Sequence, residues 1–206
     1  GVKTIRIDFG YSEEDIAKMS RNEYGIKIQL NASTITEEFF DKLDKCSPDY
    51  SNVDALHNFY PRVGTAISEE CMINKNNILK KRNINPCAFV QSNNRKRSPL
   101  KDGLPTLEDH RGVAVREAAN HLFALGNKSV FIGDSLPSLE ELKDLSSLDP
   151  NVIELDIEVK TTDKVMLRIL DGVYIARTDE ARDAIRASES RLILNGDVIE
   201  PFNTVN

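Results

Sequence analysis

Nothing in this sequence of 206 residues is apolar for long enough to cross a bilayer, and no run within it reads as a secretory signal. Cysteine is scarce. Cys46, Cys71 and Cys87 are widely spaced and odd in number, which suits neither a zinc site nor a disulfide framework. Cys87 lies in an apolar run and reads as a small buried hydrophobe, and the set as a whole points to a reducing cytoplasm. An excess of positive charge is also missing: 27 Lys and Arg against 33 Asp and Glu leave a net charge of −6. That speaks against broad nucleic-acid binding, but a pocket for an anionic small molecule needs only a local cluster of cations. Neither GxGxxG nor GxxxxGK followed by Ser or Thr occurs, so the common nucleotide-phosphate loops are absent. What is present is ordinary globular material, 40% hydrophobic and 29% charged, with 10 Gly and 8 Pro. It suffices for one good core and a small appendage.

Short apolar runs alternate with helix signals. Val2–Asp8 reads as a strand, and Ser12 with Glu13, Glu14 and Asp15 as a capped helix start. Ile26–Asn31 is the next strand, followed by a helix from Thr36 to about Cys46. Val53–Asn58 precedes a helix that opens at Ser68 and closes near Arg82-Asn83. Pro86–Gln91 precedes a long polar loop, and Thr106 is expected to cap a helix ending at Gly126. Lys128–Asp134 is the fifth strand, and Ser138 with Glu141 forms a capping box.

Five βα units predict a parallel sheet with right-handed crossovers, either doubly wound or part of a (β/α)8 TIM barrel. Polar residues close every strand: Asp8, Asn31, His57-Asn58, Gln91 and Asp134. That favours the barrel, in which all strand ends share one site. Five units cannot close and leave two unpaired edges. The expectation is therefore the last five units of a barrel over residues 1–150, with about three earlier units absent here or supplied by another chain, and with the 206 residues alone poorly stable or associating through the open edges. After Pro150 the pattern changes. Val152–Lys160 alternates like a half-exposed strand, a helical stretch lies near Asp179–Ala187, and Arg191–Glu200 reads as a hairpin turned at Asn195-Gly196. Residues 151–206 are thus expected to begin a small, mainly β second domain.

Candidate chemistry sits at the strand ends. Asp8 and Asp134 are the strand-end carboxylates, a natural pair for acid–base work. For either alone, a structural Asp that accepts backbone N–H groups is the plainer alternative. Asn31 with Ser33 suits a sugar hydroxyl or acetamido group, or simple turn chemistry. His57, Asn58, Tyr60 and Arg62 form the densest cluster, with Arg62 suited to a phosphate or carboxylate and Tyr60 to a sugar face. Arg95, Lys96, Arg97 and Lys101 lie in the loop that would follow the seventh strand of a complete barrel, where phosphate sites are frequent. Glu108, His110 and Arg111 open the expected helix, and cations at that end suggest an anionic ligand.

LNAS (Leu30–Ser33), HNFYPR (His57–Arg62), GLPTLEDHR (Gly103–Arg111) and FIGD (Phe131–Asp134) together resemble the bacterial "outer surface protein" family, whose characterised members are cytoplasmic 6-phospho-N-acetylmuramidases of peptidoglycan recycling. The likeness extends to SESRL (Ser188–Leu192) and PFNT (Pro201–Thr204). It implies a TIM barrel with a cyclophilin-like β domain. It also implies hydrolysis of a phosphorylated muramyl disaccharide, without metal or other cofactor. On matching positions it implies site residues at Asp8, Asn31, His57, Asn58, Tyr60, Arg62, Glu108, His110, Arg111 and Asp134; the two strand-end carboxylates, Asp8 and Asp134, are read as the catalytic pair and the others as substrate contacts. Only Arg177 and Asp179 match where the family tends to show Thr-Asn-Arg-x-Asp. Two other readings stay open: a phosphosugar lyase or isomerase, which usually wants a strand-end Lys that is missing here, and a non-enzymatic phosphosugar-binding or surface protein. The expected partner is a small molecule, with no nucleic acid and no membrane.

Overall fold

The structure, a computed structural model, describes residues 1–179 and 181–189. The chain divides into two compact units, Gly1–Leu155 and Asp156–Asn206. In the first, strands β1 (Thr4–Arg6), β2 (Lys27–Asn31), β3 (Val53–Leu56), β4 (Asn85–Val90) and β5 (Ser129–Ile132) alternate with helices α1 (Glu13–Ser20), α2 (Glu37–Lys45), α3 (Glu69–Lys80), α4 (Val115–Ala124) and α5 (Leu139–Ser147). All neighbouring strands pair in parallel, and their spatial order is their chain order. Each unit therefore adds its strand on the same side as the last. A doubly wound sheet reverses direction at a switch point; this sheet does not, as expected of part of a (β/α)8 barrel.

Helix starts follow local chemistry. The side chains of Ser12, Thr36, Ser68 and Ser138 accept hydrogen bonds from the backbone N–H groups of Asp15, Phe39, Cys71 and Glu141. Asp15 and Glu141 return the bond to their cap residues, which completes two capping boxes. Thr106 departs from the expected pattern. Its hydroxyl accepts from Phe89 N–H (2.9 Å) and donates to the Asn58 carbonyl (2.9 Å), so the long loop is sewn to two strands. Glu108–His110 make only a 3-10 turn, and α4 begins at Val115. Tertiary partners for the hydroxyl win over the local cap. Gly126 closes α4 with φ +84°, as a C′ glycine does.

Strand register assigns the faces. Ile7, Ile28, Leu30, Val53 and Ala55 pack with Ile16, Phe40, Leu43 and Leu79 of the helices in one cluster. Ala88 and Val90 pack with Met72, Ala118 and Leu122 in a second. Phe40 is fully buried, which contributes about 2–3 kcal/mol, and the Arg82 guanidinium lies 4.4 Å over its ring while pairing with Asp44 at 2.9 Å. Residues of the other parity form the second face: Arg6 is level with Gln29 and Gln29 with Asp54, while Phe89 is level with Phe131.

In the second unit Asp163 caps α6 (Lys164–Leu170), accepting from Val165 and Met166 N–H at 2.8 and 2.9 Å. Two expectations about strand and helix fail here. Residues 152–160 are exposed and pair with no strand among the described residues, because alternation specifies a strand only where a ladder partner exists. No helix covers the described part of 179–187. Instead Ala176 and Ala187 form an antiparallel bridge, and Asp179 pairs with both Arg177 and Arg186 at 2.8 Å. The hairpin expected at Asn195-Gly196 lies outside the described residues.

Candidate functional site

Parity divides the strand-end residues into two groups. On the face opposite the helices, Arg6 is a hub. Its Nε donates to Asp8 Oδ1 (2.8 Å), one terminal nitrogen to the Leu56 carbonyl (3.0 Å) and the other to Asn58 Oδ1 (2.8 Å). Asn31 Nδ2 donates to the same Asp8 oxygen at 3.3 Å. Asp8, Asn31 and Asn58 are thus brought together, and the Asp8 carboxylate stays 48% exposed. Arg6 was not among the expected residues. Its signal was a guanidinium between Ile5 and Ile7, which must find partners if it faces inward. Asp54 shares this face, and its Oδ1 is buried without a hydrogen-bond partner.

Beside this polar group runs an aromatic row. Phe59 meets Phe89 edge-on at 5.3 Å, and Phe89 approaches Phe131 at 6.1 Å. The Arg97 guanidinium lies 5.7 Å over Phe59. Three clefts share walls along this line. Arg6, Asp8, Asn58, Phe59 and Phe89 line one of about 290 Å³. Phe59 passes into a second, also about 290 Å³, with Arg62, Arg97 and Ser98. Arg97 and Ser98 pass into a third, of about 530 Å³, with Arg95, Lys96, Lys101 and Ser135. The result is one groove: a carboxylate at one end, aromatic rings beside it, and cations at the other end. Such a groove can hold an extended polar ligand with an anionic end.

The other parity points to the helices. Asp134 is buried and accepts three backbone N–H groups, from Arg97 (2.8 Å), Ser92 (3.0 Å) and Leu104 (3.2 Å). The expected pairing of Asp8 with Asp134 is corrected accordingly. Asp134 lies on the opposite parity, and its oxygens are occupied in holding the β4–α4 loop. His57 is also fully buried, with Nε2 2.9 Å from Asn76 Oδ1 and Nδ1 3.3 Å from Ser33 Oγ. Burial pushes its pKa down to about 4, so the ring is neutral. It does not reach the groove as expected, but Ser33 Oγ, which it holds, accepts Asn58 N–H at 2.9 Å.

The Glu108–Arg111 group is likewise internal. Glu108 accepts from Gly64 N–H (2.7 Å), Ala66 N–H (2.9 Å) and Arg111 Nε (2.6 Å), and the Arg111 guanidinium with these donors lowers its pKa to about 2. Arg111 also donates to the carbonyls of Tyr60 (2.9 Å) and Arg62 (2.6 Å). The macrodipole argument for an anion at Arg111 falls, because α4 starts four residues later and Arg111 has its own partners. His110 is buried and set 2.9 Å from His121 Nδ1, and burial, then the neighbouring imidazole, lower its pKa to about 4. Tyr60 contributes backbone contacts to this network, while Arg62 stays exposed on the groove wall. Gln91 is buried, its amide donating to Asn93 Oδ1 at 2.7 Å. Among the described residues, no group of three or more His, Cys, Asp or Glu is placed to hold a metal.

Residues 1–147 match the family model described as 6-phospho-N-acetylmuramidase, N-terminal. Two solved structures are similar. An uncharacterized B. cereus protein is 32% identical with a TM-score of 0.82, over 94% of this chain and 57% of that one. A conserved protein of unknown function from Enterococcus faecalis is 35% identical with a TM-score of 0.64, over 89% of this chain and 51% of that one. This chain therefore spans little more than half the length of the structures it resembles. No curated protein matches it.

Proposed function

The chain belongs to the 6-phospho-N-acetylmuramidase family, and from that premise we propose that it is a glycoside hydrolase of the cytoplasm, releasing N-acetylmuramic acid 6-phosphate from N-acetylglucosamine in peptidoglycan recycling. The observation that carries this reading is the groove, whose half-exposed carboxylate, aromatic row and cationic end match the three chemistries of that substrate. Phe59, Phe89 and Phe131 offer apolar faces to sugar rings. Arg62 and Arg97 stand over the middle of the groove, within reach of the lactyl carboxylate.

Asp8 is the residue at the reacting centre. Arg6 and Asn31 fix one of its oxygens, which leaves the other free for an oxocarbenium-like centre or for a proton. With Asp134 turned away, we read the substrate's own acetamido group as the partner of Asp8. We read residues 151–206 as the start of a cyclophilin-like domain, supported by the SESRL and PFNT resemblance. The test is release of N-acetylmuramic acid 6-phosphate from the phosphorylated disaccharide, followed by mass spectrometry. Asp8→Asn should lower the rate at least 100-fold, on the order expected for loss of a reacting carboxylate. Cleavage by Asp8→Asn at the wild-type rate would sink the assignment.

A further inference from the structure

Building on that function, we propose that the substrate's phosphate sits in the cleft between the β4–α4 and β5–α5 loops. Arg95, Lys96, Arg97 and Lys101 would supply the charge there, with Ser98 and Ser135 as hydroxyl donors. Four cations line this one cleft in a chain of net charge −6, and among the described residues none of them is in an ion pair. Elsewhere in the molecule, cations such as Arg82 and Arg111 are matched to carboxylates. Unmatched cations held close together repel one another, and a dianion among them removes that cost.

The loop that carries them is held from behind. Asp134 takes the N–H groups of Ser92, Arg97 and Leu104, so the backbone beneath Arg97 is fixed. Glu141 accepts from Asn93 N–H (2.6 Å) and Ser92 Oγ (2.8 Å), while Asn94 Nδ2 donates to the Leu136 carbonyl at 3.1 Å. Asp134 and Glu141, the two carboxylates that hold this loop, are thus occupied by backbone and hydroxyl donors. Neither competes with an incoming anion, and the donor set is ordered before a ligand arrives. Position adds a second argument. Because Arg97 and Ser98 also line the middle of the groove, a ligand anchored here runs past Phe59 towards Asp8. A phosphate monoester suits several convergent point charges and hydroxyls better than a carboxylate, which is satisfied by one guanidinium fork.

The experiment is calorimetric binding by the 206-residue chain of N-acetylmuramic acid 6-phosphate and of N-acetylmuramic acid. The wild-type chain and the double variant Arg95→Ala, Lys101→Ala are compared. The phosphorylated sugar should bind wild type more tightly, and the double variant should lose about tenfold to hundredfold of that affinity. Binding of the unphosphorylated sugar should be unchanged, and Arg95→Lys with Lys101→Arg should restore the phosphate preference. Equal losses on both sugars, or none on the phosphorylated one, would overturn the site. Phosphate-selective binding by a wild-type chain that leaves the disaccharide intact would instead refute the hydrolase reading and keep the site. Unaltered cleavage and binding by the double variant would do the reverse.

Discussion

Replacing Asp134 separates a structural carboxylate from a catalytic one. Its two oxygens serve three backbone donors, and two of those, Ser92 and Leu104, belong to residues that are 0% and 2% exposed. The third, Arg97, is exposed, so water can replace its bond. Asp134→Ala strands the two buried N–H groups at roughly 1–3 kcal/mol each, so the loss of stability should be about 3–5 kcal/mol once local packing is included. Asp134→Asn is milder. A carbonyl oxygen in the place of Oδ2 keeps both buried bonds, and the amide nitrogen then faces Arg97 N–H, for a loss of about 1–2 kcal/mol. Urea unfolding at pH 7 measures both values, and amide exchange should quicken at Ser92 and Leu104 in the alanine variant alone. If Asp134→Ala unfolds within about 1 kcal/mol of wild type, the reasoning fails. Wild-type stability with abolished hydrolysis in both variants would return Asp134 to the catalytic role that its strand-end position suggests in the sequence.

Acid should destabilise the first unit in a defined window. His57 and His110 have folded-state pKa values lowered to about 4, so the unfolded chain takes up their protons first. Stability from each is complete above pH 6.5 and falls by about 3 kcal/mol as pH drops towards 4; urea midpoints of wild type and His57→Gln across that range should converge at low pH. Glu108→Ala should cost about 2 kcal/mol and expose the segment Pro61–Thr65 to proteolysis, because the N–H groups of Gly64 and Ala66 and the Arg111 guanidinium all lose their acceptor; an unchanged cleavage pattern would count against it. Ser33→Ala removes the acceptor of Asn58 N–H and should raise KM about fivefold to thirtyfold, with kcat changed less, in steady-state hydrolysis.

Local signals in the sequence were sufficient for most of the fold. Four of five expected caps, at Ser12, Thr36, Ser68 and Ser138, are made by hydroxyls whose partners lie three residues away. Thr106 failed because its partners, Phe89 and Asn58, are 17 and 48 residues away, beyond any local pattern. The period-two run at 152–160 failed for a related reason: alternation records which face is apolar, not whether a neighbouring strand exists. At the site, strand-end position found Asp8, Asn31 and Asn58, but not the face each residue takes. Polar and apolar residues do alternate in the first three strands, where Arg6, Gln29 and Asp54 interleave with Ile7, Ile28, Leu30, Val53 and Ala55. But alternation does not say which face meets the helices, and Ala88, Phe89 and Val90 of β4 are apolar on both faces. That is why His57 and Asp134 stood beside Asp8 in the sequence and lie behind it in the fold.

The division of strand-end residues between two faces has a mechanistic consequence. Of two successive polar residues at a strand end, one faces the groove and the other faces the helices, as Asn58 and His57 do. The outward member cannot touch a ligand, but it is well placed to hold the loop or hydroxyl that positions the inward one. His57 does so with little freedom. Asn76 Nδ2 donates to the Leu125 carbonyl, so its Oδ1, which can only accept, faces His57. Nε2 of the neutral ring therefore carries the proton, and Nδ1 accepts from Ser33 Oγ, which in turn accepts Asn58 N–H. One tautomer of a neutral imidazole therefore sets the orientation of Ser33, which sets Asn58, whose Oδ1 anchors the Arg6 that holds Asp8. Asp134 performs the corresponding service for Arg97 at the far end of the groove. The two buried strand-end polar groups thus act through the backbone and the hydroxyl they fix, and their substitution should register first as misplaced partners rather than as lost chemistry.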